Sequence, residues 1–280
     1  MTIQDVDWYD TPLYYDIIFD ADTKDEADFL EGLHQKYGTA SDKPTNLELA
    51  CGTGRVMREL ASRGWKSAGF DASESMLEFA WLRFKQERLK SLLWQDKMES
   101  FRVPTGKKFD LVHCLVSTFK YIPSETRANS CLSNSASVLK EGGLLVIGLH
   151  LTDYNRDRVT HERWVERRGG IEVVCNTRTW PPDRRSRTES IRSRLKITHT
   201  DGLIQNQETH WTGRTYSASQ LKSLINSVAG LTLISCHDFN HDVETTRELD
   251  DSYADIVVVL RKTLDLGNND AETVRATGTS

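Results

Sequence analysis

Residues 46–56, NLELACGTGRV, constrain the fold of this chain more than any other stretch. A short apolar run ends in Cys51-Gly52-Thr53-Gly54 and passes directly into a helix-forming segment. Glycines at a strand-to-helix turn let the backbone take positive φ and approach a ligand closely. Such turns sit at the carboxyl ends of strands in open α/β sheets, where ligands bind.

The surrounding pattern agrees with a parallel sheet. Residues 45–50, 66–70, 91–94, 109–117 and 142–150 read as strands. Helical segments at 54–63, 74–88 and 124–140 alternate with them, the signature of a sheet covered on both faces. Upstream, residues 23–37 predict a helix with a capping box at Thr23 and Glu26, an apolar face of Ala27, Leu30 and Leu33, and Gly38 as its C′ residue. From 152 to 215 the helical period is lost, and β-type segments at 171–180, 186–200 and 203–215 replace it. Asp201-Gly202 is a hairpin turn signal, and Trp180-Pro181-Pro182-Asp183 reads as a turn between strands. Ile191, Ser193, Leu195 and Ile197 fall on one face there, and Arg192, Arg194 and Lys196 on the other. A helix at 217–228 and strands at 231–236 and 254–262 resume the α/β pattern.

The expected fold is α/β, with an antiparallel β insert after the fifth strand of a seven-stranded, mostly parallel sheet. The expected organisation is an N-terminal helical lid segment at 1–40, a Rossmann-like core at 41–151, a β lid at 152–215, completion of the sheet at 216–263 and a flexible tail at 264–280.

Composition narrows the function. No apolar run is long enough to span a membrane, and the acidic start MTIQDVDWYD has no signal-peptide core, so a cytoplasmic protein is expected. Cys51, Cys114, Cys131, Cys175 and Cys236 are dispersed, with no Cys-x-x-Cys pair, which argues against a disulfide framework and against a metal site. The formal charge of −5 is uneven: residues 151–215 hold 13 Lys/Arg and 9 Asp/Glu, so the rest carries −9. An acidic body does not suit general nucleic-acid binding. The basic residues of the insert read as the solvated face of a half-buried sheet.

The glycine turn excludes two common ligands. A dinucleotide fingerprint needs a third glycine where Met57 stands, and the phosphate-cradling motif with its Gly-Lys pair is absent. S-adenosylmethionine (AdoMet) fits better. One strand after the glycines, SAGFDAS ends in Asp71, placed to accept from both hydroxyls of a ribose. After the next strand Asp96 can accept from an adenine amino group, with Met98 against the ring.

In these motifs residues 45–150 resemble the class I AdoMet-dependent methyltransferases, whose seven-stranded sheet ends in an antiparallel strand as ADIVVVLRK suggests. The resemblance implies that Glu48, Ala50, Cys51, Gly52 and Gly54 surround the methionine end of AdoMet. It also implies contacts from Asp71, Ala72 and Met76, and from Asp96, Lys97, Met98 and Leu115. Ala50 departs from the pattern, since many members have glycine there. The stretch YYDIIFD, the insert and TYSASQLKSLI are similar to the small-molecule branch, which includes glycine N-methyltransferases and amino-sugar N,N-dimethyltransferases.

That branch implies methyl transfer to a small-molecule acceptor, a nitrogen before an oxygen, leaving S-adenosylhomocysteine. Alignment alone can supply about 7–11 kcal/mol of such a displacement, so no obligatory catalytic motif is expected. Tyr15 is a candidate for both cofactor and catalytic contact, Tyr121 and His150 for catalysis and acceptor binding, and Arg178 and Trp211 for acceptor binding. The motif of base-amine methylases is missing after the fourth strand, and Cys114 lies inside that strand, as a core residue does. An O-methyltransferase, an RNA methyltransferase and a non-catalytic AdoMet-binding protein are the alternatives. A monomer or homodimer without membrane or metal is expected.

Overall fold

The structure, a computed structural model, describes residues 3–263, so the tail expected at 264–280 lies outside the described residues. It opens with strand β1 (Gln4–Asp5), a 3-10 turn at Trp8–Asp10, and helices α1 (Pro12–Phe19) and α2 (Thr23–Tyr37). Then come β2 (Thr45–Leu49), α3 (Arg55–Ser62), β3 (Lys66–Asp71), α4 (Glu74–Gln86) and β4 (Ser91–Gln95). β5 (Phe109–Cys114), α5 (Glu125–Val138) and β6 (Leu139–His150) follow. The chain continues with β7 (Thr160–Arg168), β8 (Ile171–Thr179), β9 (Thr188–Thr198) and β10 (Ile204–Arg214). It closes with α6 (Ala218–Asn226), β11 (Leu231–His237) and β12 (Asp255–Lys262).

Seven strands form one sheet in the order β11-β12-β6-β5-β2-β3-β4, with β12 antiparallel to both neighbours and the others parallel. This is the Rossmann-like α/β arrangement. Its core residues lie on both faces of the strands. Leu30, Leu33, Val56 and Leu60 of α2 and α3 meet Leu111, Val146 and Val257 on one side. Leu132 of α5 and Leu221 and Leu224 of α6 meet Val112, Leu145 and Val258 on the other. β2 lies between β3 and β5, so successive connections leave it in opposite directions and open a crevice at its carboxyl end.

The second sheet has the order β1-β10-β9-β8-β7, and β7–β10 fall in sequence between β6 and α6. Ser193, Leu195 and Ile197 are buried on its inner face, and Arg194 and Lys196 are exposed on the outer one. Outside, Glu208 pairs with Arg194 and lies 3.7 Å from Arg192. The inner face packs on α1 and the turn before it, where Val173, Cys175 and Leu195 meet Trp8, Ile17 and Ile18. β7 was not expected. Its sequence, THERWVERR, is mostly charged and exposed, as suits an edge strand that must resist further pairing.

The start of α2 corrects the capping-box expectation. Asp22, the residue before the helix, already has helical φ and ψ, which leaves Thr23 inside the first turn. Thr23 and Glu26 turn instead to Arg55 of α3, which donates to the Thr23 hydroxyl at 3.1 Å and to both Glu26 oxygens in a buried pair. Gly38 is also not left-handed, with φ −83. A Cβ there would lie 2.5 Å from His34 Nδ1, so close approach explains the glycine. Asp16 of α1, 1% exposed, accepts from Arg83 of α4 at 2.8 Å and from Arg168 of β7 at 2.6 Å, which fastens α1 to both sheets.

Candidate active site

At the carboxyl end of β2 the backbone turns left-handed at Ala50 (φ 49), Gly52 (φ 53) and Gly54 (φ 69). The first of these explains why glycine suits position 50: a Cβ in this conformation costs about 1–2 kcal/mol. Gly54 is the N-cap of α3 and has no side chain to cap it, and Glu48 takes over by accepting from Met57 N–H at 3.0 Å. A Cβ on Gly54 would lie 3.3 Å from both Ala80 and Phe84, so that glycine serves the packing of α4. Cys51 packs its side chain among Met57 and Phe84.

Asp71 ends β3 opposite this loop. Its carboxylate accepts from Gly52 N–H at 2.7 Å and from Ser73 N–H at 2.8 Å, which binds the two turns together. Burial raises its pKa, against the lowering effect of those two donors. Burial also pushes Glu48 up to about 8. Two carboxylates that are costly to ionise therefore flank the loop, and a cation or a set of hydroxyls would relieve that cost.

The adenine-side candidates occupy the next turn. Asp96 accepts from Lys97 N–H at 2.8 Å and Arg102 N–H at 3.0 Å, and its own N–H reaches the Asp71 carbonyl. Met98 is 9% exposed in the core below, and Met76 is fully buried, its N–H capped by Ser73. Ala72 and Lys97 are exposed at the rim, and Leu115 lines the cleft beside the loop. That cleft measures about 30 Å³, room for a water molecule or two. Tyr15 stands over it: a Cβ on Gly52 would meet the Tyr15 ring at 3.7 Å. The buried Thr53 hydroxyl in its wall has no hydrogen-bond partner among the described residues.

Beyond Tyr15 lies a cavity of about 1290 Å³ between the two sheets. Its inner wall is aromatic. Trp8 sits 4.8 Å from Trp211 and 5.4 Å from Tyr15, Tyr121 sits 6.1 Å from Trp211, and Tyr9 sits 6.4 Å from Tyr121. Burial holds the Tyr9, Tyr15 and Tyr121 phenols well above their ordinary value, so all three stay neutral. Lys120 and Glu189 form a buried pair at 2.6 Å, and Arg156 joins Glu189 at 2.9 Å. All three line the cavity and tie the second sheet to the first. His150, at the end of β6, lies in the same wall.

Tyr15, Tyr121, His150 and Trp211 are therefore gathered round one cavity. Arg178 is not among them. Strand alternation turns its neighbours Thr177 and Thr179 into the cavity and leaves Arg178 exposed on the outer face, across from Arg192. Sequence reasoning missed Trp8, Tyr9, Lys120 and Glu189. The aromatic pair in DWYD was a visible signal. Lys120 and Glu189 gave none, because 69 residues separate the partners.

Residues 47–143 match the family described as a methyltransferase domain. The chain is 34% identical over 119 residues to the glycine N-methyltransferase of Rattus norvegicus, covering 39% of this chain and 41% of that protein. It is 30% identical over 101 residues to a dTDP-3-amino-3,4,6-trideoxy-alpha-D-glucopyranose N,N-dimethyltransferase of Streptomyces venezuelae, covering 36% and 40%. The alignments thus span about two fifths of these curated relatives. Among solved structures, an S-adenosylmethionine-dependent methyltransferase from Clostridium acetobutylicum superposes with a TM-score of 0.70 at 18% identity, over 89% of this chain and 96% of that one. The family match is confined to residues 47–143, whereas the likeness in fold extends through most of the chain.

Proposed function

We propose that this protein transfers a methyl group from AdoMet to a nitrogen of a small-molecule acceptor. The observation that carries the proposal is the junction at Tyr15, where a loop with AdoMet-type chemistry meets a large aromatic cavity. AdoMet supplies an electrophilic methyl on a cationic sulfonium. The residues present fit that group: Glu48 and Asp71 complement its charge and hydroxyls, Asp96 would accept from the adenine amino group, and the turn at 50–54 offers close backbone approach. The cleft at the loop is far too small for such a molecule, so binding requires Tyr15 and α1 to shift.

The domain division follows from this. Residues 1–40 act as a closing segment and 152–215 as the far wall, or lid, of the acceptor cavity, with 41–151 and 216–263 as the core. Tyr15 and Tyr121 hold the acceptor by their rings and neutral hydroxyls, and Trp211 supplies an apolar face. His150 accepts a proton. The cavity is far larger than a free amino acid needs, which favours a bulkier acceptor, such as one of several rings. A phenol oxygen is the second reading, favoured by the same histidine. RNA is disfavoured because Glu208 takes up Arg192 and Arg194 on the outer face.

The test is release of S-adenosylhomocysteine across a panel of amines, amino acids, amino sugars and phenols, with an RNA pool included. Turnover with amines alone supports the proposal. Turnover only with RNA, or AdoMet binding without turnover on any acceptor, overturns it.

A further inference from the structure

His150 is restrained from three sides. Its Nδ1 lies 2.7 Å from Asp255 Oδ1, its ring packs on Phe239 at 5.1 Å between centroids, and its backbone N–H donates to Ser117 Oγ at 2.8 Å. These contacts come from three separate parts of the chain. Asp255 is the first residue of β12 and the cross-strand partner of His150 at the open end of the sheet. Phe239 follows β11. Ser117 follows β5 in a left-handed turn, with φ 55 at Val116 and φ 61 at Ser117.

Stability accounts for little of the His150–Asp255 contact. The side chains of His150 and Asp255 are 45% and 50% exposed, and exposed pairs contribute little to folding. Two consecutive non-glycine residues in the left-handed region oppose folding. Such restraint is instead what holds a reacting group in place. Both side chains line the large cavity, as do Val116 and Ser117.

We propose that Asp255 and Ser117 are positioning residues that present His150 to the acceptor with Nε2 as the proton-accepting atom. This rests on the reading of the chain as a methyltransferase acting on an amine. The hydrogen bond from His150 holds the Asp255 carboxyl below its ordinary value, so the carboxylate is ionised and only accepts. Nδ1 therefore carries the hydrogen, and the lone pair of the neutral ring is on Nε2. An amine entering as its ammonium ion gives one proton to Nε2: the N–H bond of the ammonium breaks, the Nε2–H bond forms, and the freed electron pair becomes the nucleophile. The imidazolium returns the proton to water, and the Asp255 carboxylate compensates its charge in the interval.

Two measurements test the arrangement. The first needs no turnover: nitrogen-15 NMR of the imidazoles, with His150 assigned by its loss in His150→Gln. The neutral ring is expected as the Nδ1–H tautomer in the wild type and as a mixture in Asp255→Ala. A wild-type ring protonated on Nε2 overturns the proposal, whatever the enzyme's acceptor proves to be. The second is kinetic, on an amine identified by the panel. Asp255→Ala and Ser117→Ala are each expected to lower kcat about 10–100-fold with KM and AdoMet affinity within about threefold. Either change made in His150→Gln is expected to add less than about twofold. An equal loss in both backgrounds, or a loss confined to KM, overturns the positioning role. Failure of the whole panel with the expected tautomer present counts against the amine reading, not against the geometry.

Discussion

Replacing Glu48 with glutamine should stabilise the free protein and weaken its hold on AdoMet. The glutamine carbonyl can accept from Met57 N–H as Glu48 does now, so the N-terminus of α3 keeps its cap. What changes is the ionisation of a group whose pKa burial raises from 4.5 to about 8. Below pH 4.5 the carboxyl is protonated in both folded and unfolded chains and contributes no difference. Between 4.5 and about 8 the unfolded chain gives up its proton while the folded one keeps it, so stability falls as pH rises. At 1.36 kcal/mol per decade the limit is about 5 kcal/mol; relaxation and partial solvent access reduce this to an expected 1–3 kcal/mol. Calorimetric melting of wild type and Glu48→Gln at pH 5.5, 7 and 8.5 isolates the effect, because other titrating groups cancel in the difference. The variant's advantage should grow with pH by several degrees in Tm. An advantage that is constant across the three pH values would refute the reasoning. For the cofactor the sign reverses. A cationic ligand forces Glu48 to ionise, so binding to wild type near pH 7 should release a proton. Titration calorimetry in buffers of different ionisation enthalpy should find this release absent, and affinity lower, in the variant.

Asp71→Ala should weaken AdoMet binding about 10–100-fold by calorimetry, from the loss of charge-assisted hydrogen bonds of roughly 1.5–3 kcal/mol. Because Asp71 also holds Gly52 and Ser73, the melting temperature of the free protein should fall too; unchanged affinity would sink the cofactor assignment. The two loop positions should respond oppositely. Ala50→Gly relieves a left-handed alanine and should raise stability by about 0.5–1 kcal/mol, after allowing for the greater freedom of glycine in the unfolded chain. Gly54→Ala places a methyl at φ 69 against Ala80 and Phe84 and should cost about 2 kcal/mol or more in denaturant unfolding.

The sequence by itself determined the α/β plan, the strand-end loop and the two acidic positions that follow it, Asp71 and Asp96, because these rest on local signals. Apolar runs, glycine turns and strand-end carboxylates are adjacent in the chain to the structure they specify. The hairpin at Asp201-Gly202 and the alternation from Ile191 to Ile197 were legible for the same reason. Misreadings arose where a local rule met a tertiary competitor. Thr23 and Glu26 spell a capping box, but a buried arginine 29 residues beyond Glu26 claims both side chains. Gly38 stands where a C′ glycine belongs, yet the packing of His34 accounts for it. Only the tertiary structure decided which residues meet. Arg178 and Thr177 differ by one position in a strand, and the pleat sends them to opposite faces. Asp255 stands 105 residues from His150 and becomes its neighbour through the antiparallel pairing of β12 with β6. Trp8, Tyr15, Tyr121 and Trp211 come from three distant segments that share a cavity only once α1 is fastened at Asp16 between Arg83 and Arg168. Pairings over such distances depend on how whole sheets pack, and no short window of residues encodes that.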